Sequence, residues 1–129
     1  MPENWLWVAL EVAVSAHAEQ LAEHGGGEGT RDVGALESAM ARPRNLVLYG
    51  NPDAADLAAA FAFGIARNHP FADGNKRTAA VVSETFLLIN GLSLSASDAE
   101  LVVAFQELAA GELSEAELAA WLRGYLEAL

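Results

Sequence analysis

A chain of 129 residues with 53% apolar side chains can fill one hydrophobic core and not two, so a single domain over residues 1–129 is expected. Its formal charge of −11 argues against direct nucleic-acid binding, which needs a basic surface to displace counterions. Cysteine is absent, which excludes disulfides and thiolate chemistry, and no apolar run approaches the ~18 residues of a membrane span. With no secretory pattern either, a soluble cytoplasmic protein without a membrane partner is expected.

Ala, Leu and Glu dominate and β-branched runs are few, so the chain reads as all-α with about six helices. Trp5 to Val8 reads as a short extended lead-in. Helical periodicity then runs from Ala9 to His24 and stops at Gly25-Gly26-Gly27-Glu28-Gly29. A second helix over Gly34 to Ala41 should end before Pro43. The β-prone run Leu46-Val47-Leu48-Tyr49, bounded by turn residues, predicts a small hairpin or flap. Asp53 and Asp56 form a capping pair ahead of an Ala-rich helix over Leu57 to Asn68. The helix from Asn75 to Ile89 ends at Asn90-Gly91, and Ser97 to Ala110 and Ser114 to Leu126 each open on a Ser N-cap.

The chemistry concentrates in His69-Pro70-Phe71-Ala72-Asp73-Gly74-Asn75-Lys76-Arg77, just ahead of a helix. A helix N-terminus presents unpaired N–H groups and a positive dipole end, a natural seat for phosphate. His69 precedes Pro70 and so takes an extended or turn conformation, either merely capping its helix or offering imidazole as a general base. Asp73 either caps the next helix or contacts Mg²⁺. Gly74 permits a positive φ and close approach to a phosphate, and Asn75 can donate from its amide. Phe71 reads as a plug into the core. Lys76 and Arg77 sit unfavourably against the dipole of the first helical turn, a cost most simply explained by a bound anion. Of seven cations in the chain, three (Arg67, Lys76 and Arg77) fall between residues 67 and 77. The glycine spacing and residue order do not fit a P-loop.

This stretch resembles the Fic/Doc signature H-x-F-x-[D/E]-G-N-[G/K]-R at every constrained position, and Asn68 to Ala79 resembles the death-on-curing (Doc) branch in particular. Similarity extends to His24-Gly25-Gly26, Gly29, Arg31-Asp32, Gly34, Leu36-Glu37-Ser38, Arg42-Pro43, Phe86-Leu87 and Asn90-Gly91. The resemblance implies a compact Fic-fold helical bundle with a β-hairpin flap, binding ATP or another nucleoside triphosphate with Mg²⁺. By position, His69 would be the general base and Asp73 the Mg²⁺ contact. Gly74, Asn75, Lys76 and Arg77 would cradle phosphate, with Arg67 as an additional phosphate ligand. Leu46, Val47, Leu48 and Tyr49 would be the flap that docks the target by strand-like pairing.

Fic adenylyltransferases carry Gly where this chain has Lys76. A Lys side chain fills the α-phosphate space, and Doc proteins with this Lys are thought to present the γ-phosphate instead. The resemblance therefore favours a toxin of a toxin–antitoxin pair that phosphorylates a Ser or Thr hydroxyl of a translation factor, elongation factor Tu in the family pattern. Gly74 departs from the founding Doc pattern, which has Ala there, and matches the Fic choice. AMP transfer is thus the alternative, and a weakly catalytic antitoxin-binding module a third reading, disfavoured by the intact motif. Ser15 to Gln20 lacks the ending of the family's inhibitory helix, so inhibition should come from a Phd-like antitoxin segment folding into a groove. His17, on that same helix, reads as a satisfied core histidine.

Overall fold

The computed structural model describes residues 4–27 and 29–129; Glu28, within the glycine-rich run, lies outside them. Among the described residues the order is α1 (Leu10–His24), α2 (Val33–Tyr49), α3 (Ala54–Asn68), α4 (Asn75–Ile89), β1 (Leu92–Leu94), α5 (Asp98–Ala110), α6 (Glu115–Tyr125) and β2 (Leu126–Ala128). The all-α expectation holds. No helix among the described residues is long and apolar enough to cross a membrane.

Local chemistry places most helix starts. Asp53 accepts from Asp56 N at 2.9 Å while Asp56 accepts from Asp53 N at 3.0 Å. Ser97 with Glu100, and Ser114 with Glu117, close the same reciprocal box at the heads of α5 and α6. Each box satisfies two of the N–H groups that a helix start leaves without acceptors.

Helix α3 is the axis. Eleven of its 15 residues are buried, and α2, α4, α5 and α6 all pack against it. A helix apolar on every side belongs inside a core. Its Ala-rich surface lets neighbours come close: a Cβ on Gly64 would stand 2.9 Å from Ala39 Cα, so α2 crosses α3 nearly backbone to backbone. Phe61 of α3 meets Phe86 of α4 at 5.2 Å between ring centroids, and Trp7 of the extended lead-in lies 5.9 Å from Phe86. Asn90 pins that lead-in as well as ending α4. Its Oδ1 accepts from Leu6 N at 3.0 Å, and its Nδ2 donates to Leu6 O at 2.9 Å and Phe86 O at 2.8 Å.

Two expectations are corrected. Helix α2 does not stop before Pro43 but runs through it to Tyr49, and Leu46, Val47, Leu48 and Tyr49 are its last turn, not a hairpin flap. Leu36, Ala39, Met40 and Pro43 are buried along one stripe that continues into the partly buried Leu46 and Val47. Burial of that helical stripe outweighs both the lost proline N–H and the β preference of the run. The strands that do exist lie elsewhere. β1 and β2 pair antiparallel, Leu92 with Ala128 and Leu94 with Leu126, tying the end of α4 to the end of α6. They are far apart in sequence and form no hairpin.

Arg123 of α6 clasps the head of α3, donating to Asp53 Oδ2 at 2.7 Å, Asp53 Oδ1 at 3.1 Å and Asp56 Oδ1 at 3.0 Å. These bonds hold the Asp53 carboxyl down from 3.8 to about 2, outweighing the opposing effect of burial, with the Asp56 bonds assisting. A depressed carboxylate contributes stability that is present above its unfolded value and lost as pH falls through its folded one. Asp53→Asn keeps a capping side chain without the charge. Its urea midpoint should fall below that of the wild type near neutral pH, and the gap should close from about pH 4 to about pH 2. A gap that does not narrow over that range would show that the Arg123 pairing contributes nothing.

Candidate active site

The motif occupies the turn between α3 and α4. His69 is the C-cap of α3, with φ 49° and ψ 55°, the one non-glycine residue at positive φ among the described residues. Of the two conformations open to it, the chain takes the turn. The capping reading of this histidine holds: its backbone ends the helix, and the residue is exposed. Left-handed backbone is costly for a residue with a Cβ and persists only where surroundings impose it.

Two groups of contacts impose it. The first is a strap from the preceding loop. Thr30 pairs with Phe71 as an isolated antiparallel bridge, Arg31 N and Asp32 N both donate to Pro70 O (2.8 and 3.0 Å), and Ala72 N donates to Gly29 O at 3.3 Å. The Arg31 guanidinium donates to His69 O at 2.6 Å. Asp32 then caps α2, accepting from Ala35 N at 3.0 Å. The second group lies inside the loop. Phe71, fully buried, is the expected plug. Its N–H donates to Asn75 Oδ1 and its carbonyl accepts from Asn75 Nδ2, both at 3.0 Å. His17 of α1 stacks on the Phe71 ring at 4.0 Å between centroids and 7° between planes. Its Nε2–H donates to Asp73 O at 2.7 Å, so the core histidine is satisfied by the motif loop itself.

The loop therefore divides its polar side chains. Asn75 is buried and turned inward, so its amide is engaged by Phe71 and is not open to a phosphate as the motif alone suggested. Its backbone N–H, with those of Lys76 and Arg77, remains in the first turn of α4, where no intrahelical acceptor exists. Thr78 N is the first to bond back, to Gly74 O at 3.0 Å. His69, Asp73, Lys76 and Arg77 are exposed. Lys76 and Arg77 have no carboxylate partner among the described residues, whereas Arg42 is paired with Glu115 and Arg123 with Asp53 and Asp56. Adjacent cations without a carboxylate partner among the described residues, at a helix N-terminus in a chain of net charge −11, would favour an anion there.

Asp73 does not cap α4; Gly74 does, at φ 77°, and no side chain bonds there. The Asp73 Oδ1 accepts from Gly74 N at 2.8 Å, while a Cβ on Gly26 would stand 2.6 Å from Oδ2. The glycine run thus leaves room around that carboxylate. No cluster of three or more His, Asp or Glu residues suited to a metal occurs among the described residues. A lone carboxylate beside a phosphate seat does fit Mg²⁺, which takes one or two carboxylates and completes its shell with phosphate oxygens and water.

Arg67 is placed differently. Its guanidinium lies 5.4 Å from the Phe63 ring centroid and 3.8 Å from where a Gly111 Cβ would stand, directed at the turn between α5 and α6. Leu46 and Tyr49 border two clefts of about 380 and 260 Å³. The larger, between α2 and α6, contains the carboxylates Asp56 and Glu115, both engaged by arginines, and none of the motif residues. The smaller reaches Asn68, next to His69, and includes Arg42, Asn45 and Phe63. Sequence reasoning gave Arg31 no role, because its bond to His69 O spans 38 residues and has no local signature.

The sequence model of the Fic/DOC family matches residues 7–87. A protein of Mycolicibacterium smegmatis named Toxin Doc is 49% identical over 75 residues, which cover 56% of this chain and 57% of that protein. The protein named Protein kinase doc of Escherichia phage P1 is 32% identical over 117 residues, covering 90% of this chain and 92% of that one. The chain thus matches little more than half the length of the first relative and nearly all of the second.

Asn75→Ala would leave the Phe71 N–H and carbonyl buried without partners. Each such group costs about 1–3 kcal/mol, so the unfolding free energy should drop by about 2–6 kcal/mol. Denaturant titration measures this, and a loss below about 0.5 kcal/mol would show that the amide does not hold the loop.

Proposed function

Since the chain belongs to the Fic/DOC family, we propose that it is a Doc-type toxin that moves the γ-phosphate of ATP, or another nucleoside triphosphate, onto a Ser or Thr hydroxyl of a translation factor resembling elongation factor Tu. The observation carrying this reading is the outward-facing His69 beside the unpaired cations Lys76 and Arg77 at the α4 N-terminus. The names of the two relatives, a toxin and a protein kinase, support it.

In this mechanism His69 accepts the proton of the acceptor hydroxyl as its oxygen attacks the γ-phosphorus. The bond from that phosphorus to the bridging oxygen breaks, and the nucleoside diphosphate leaves. Lys76, Arg77 and the free N–H groups of α4 hold the phosphate oxygens in place and stabilise their charge. Asp73 would hold Mg²⁺, which neutralises phosphate charge when bound. Lys76 is the reason to favour γ-transfer, because its side chain stands where adenylyltransferases of the family keep a glycine.

AMP transfer is the second reading, favoured by Gly74. A Cβ there would meet only His17 ring atoms at 3.7 and 3.8 Å, so alanine fits the space and the positive φ is what favours glycine. The expected regulator is a Phd-like antitoxin. Since Leu46 to Tyr49 are helical, with their N–H groups engaged within the helix, docking there would use the exposed side chains of Leu48 and Tyr49 (74% and 90% accessible) and not strand pairing.

Incubating the protein and a cell lysate with ATP labelled separately at the α- and γ-phosphates distinguishes the two reactions. Label from the γ-position should reach one protein acceptor, and label from the α-position none; the reverse pattern would establish AMP transfer. His69→Ala should lower transfer by about 10²–10⁴-fold while the protein stays folded, and full activity in that variant would remove His69 as the base. Lys76→Gly should lower γ-transfer; unchanged γ-transfer would remove the reason for choosing the kinase reading.

A further inference from the structure

We infer that Arg31 is a positioning residue for the reaction proposed above, acting on His69 through the main-chain carbonyl that its guanidinium holds. The inference rests on His69 being the base, and its structural arm stands without that reading.

The ψ angle of a residue is set by the direction of its own carbonyl, and ψ together with φ determines where Cβ, and hence the imidazole, points. His69 is a doubly unfavourable place to leave that angle free. It carries a Cβ at positive φ, and it precedes a proline, whose ring disfavours helical backbone in the residue before it. The 2.6 Å bond from Arg31 to His69 O fixes the carbonyl directly. Being charge-assisted, it is stronger than an amide–carbonyl bond would be.

Arg31 is itself well located. Its N–H and that of Asp32 converge on Pro70 O, Thr30 bridges Phe71, and Asp32 caps α2 one residue later. The guanidinium is thus carried by backbone fixed at both ends, and its length spans the gap to the preceding peptide. It forms no ion pair within 4.0 Å among the described residues. Stabilising the fold in general would be served as well by a surface ion pair. A guanidinium committed to the carbonyl of the proposed base indicates control of that residue's geometry.

The tests are Arg31→Ala, Arg31→Lys and Arg31→Gln in the full chain. Lys keeps the charge and one donor, and Gln keeps a neutral donor. Magnesium-ATP binding is followed by calorimetry, γ-label transfer to lysate protein by single turnover, and the backbone coupling and imidazole resonances of His69 by NMR. Arg31→Ala should lower the single-turnover rate by about tenfold to a hundredfold, as expected for a misplaced reacting group. The apparent ATP affinity and the melting temperature should stay near wild type, and the His69 backbone coupling should shift. Lys should recover more of the rate than Gln, and Gln more than Ala; should Ala not fold, the Lys and Gln variants carry the comparison. Unchanged His69 resonances in the substituted proteins would overturn the inference. So would a rate loss matched by equal losses of affinity and melting temperature. If the wild type transfers no label from either position, the functional reading fails, and the His69 resonances still decide the role of Arg31.

Discussion

The structure depends on burying a helix on all its sides. Helix α3 is built from alanines, with the larger Leu57, Phe61 and Ile65 four residues apart along it, and it is enclosed by α2, α4, α5 and α6. Small side chains bring the surrounding helices close, as at Gly64 against Ala39, and close packing leaves little room for them to slide. Both ends of α3 are then fixed in space. Its head is held by Asp53, Asp56 and Arg123, and its tail becomes His69. A side chain at the end of a rigid, enclosed element is placed more precisely than one on a free loop.

Against this axis the motif loop sorts its residues by direction. Asn75 and Phe71 turn inward and lock the loop to itself, while His17 reaches from α1 to hold it from behind. His69, Asp73, Lys76 and Arg77 are left outside. The inward residues make the outward ones usable, since an anion seat needs fixed donors that do not reorganise when charge arrives. The chain as a whole carries a charge of −11 and repels a triphosphate at long range. Any attraction for phosphate would therefore be local, from Lys76 and Arg77, which have no carboxylate partner among the described residues, and from the N–H groups at the start of α4, with salt screening the rest.

The cleft of about 380 Å³ between α2 and α6 contains none of the motif residues. The cleft bordered by Tyr49 and Glu115 has a more apolar character, and its carboxylates are already committed to arginines. His69, Asp73, Lys76 and Arg77 are instead exposed. The last turn of α2, which borders Pro52 and Asp56 at the head of α3, presents Leu48 and Tyr49 to solvent.

Sequence alone determined the all-α class, the helices from Asp53 onward, the capping residues of α3, α5 and α6, and the buried Phe71. These rest on local rules: 3.6-residue periodicity, side chains that bond backbone three residues away, and charges at a helix start. The extent of α2 was decided by tertiary structure, because the helical stripe from Leu36 to Val47 gains its energy only when α3 covers it, and local rules weighed Pro43 and the β-prone run more heavily. Strands β1 and β2 were equally illegible, being three residues each and partnered across the chain. So were the inward turn of Asn75, the direction of Arg67, and the bonds from His17 and Arg31 to the motif loop. Each of these is a contact between segments distant in sequence. Their energies depend on which groups burial brings together and leaves without water, a condition that exists only once the chain has folded.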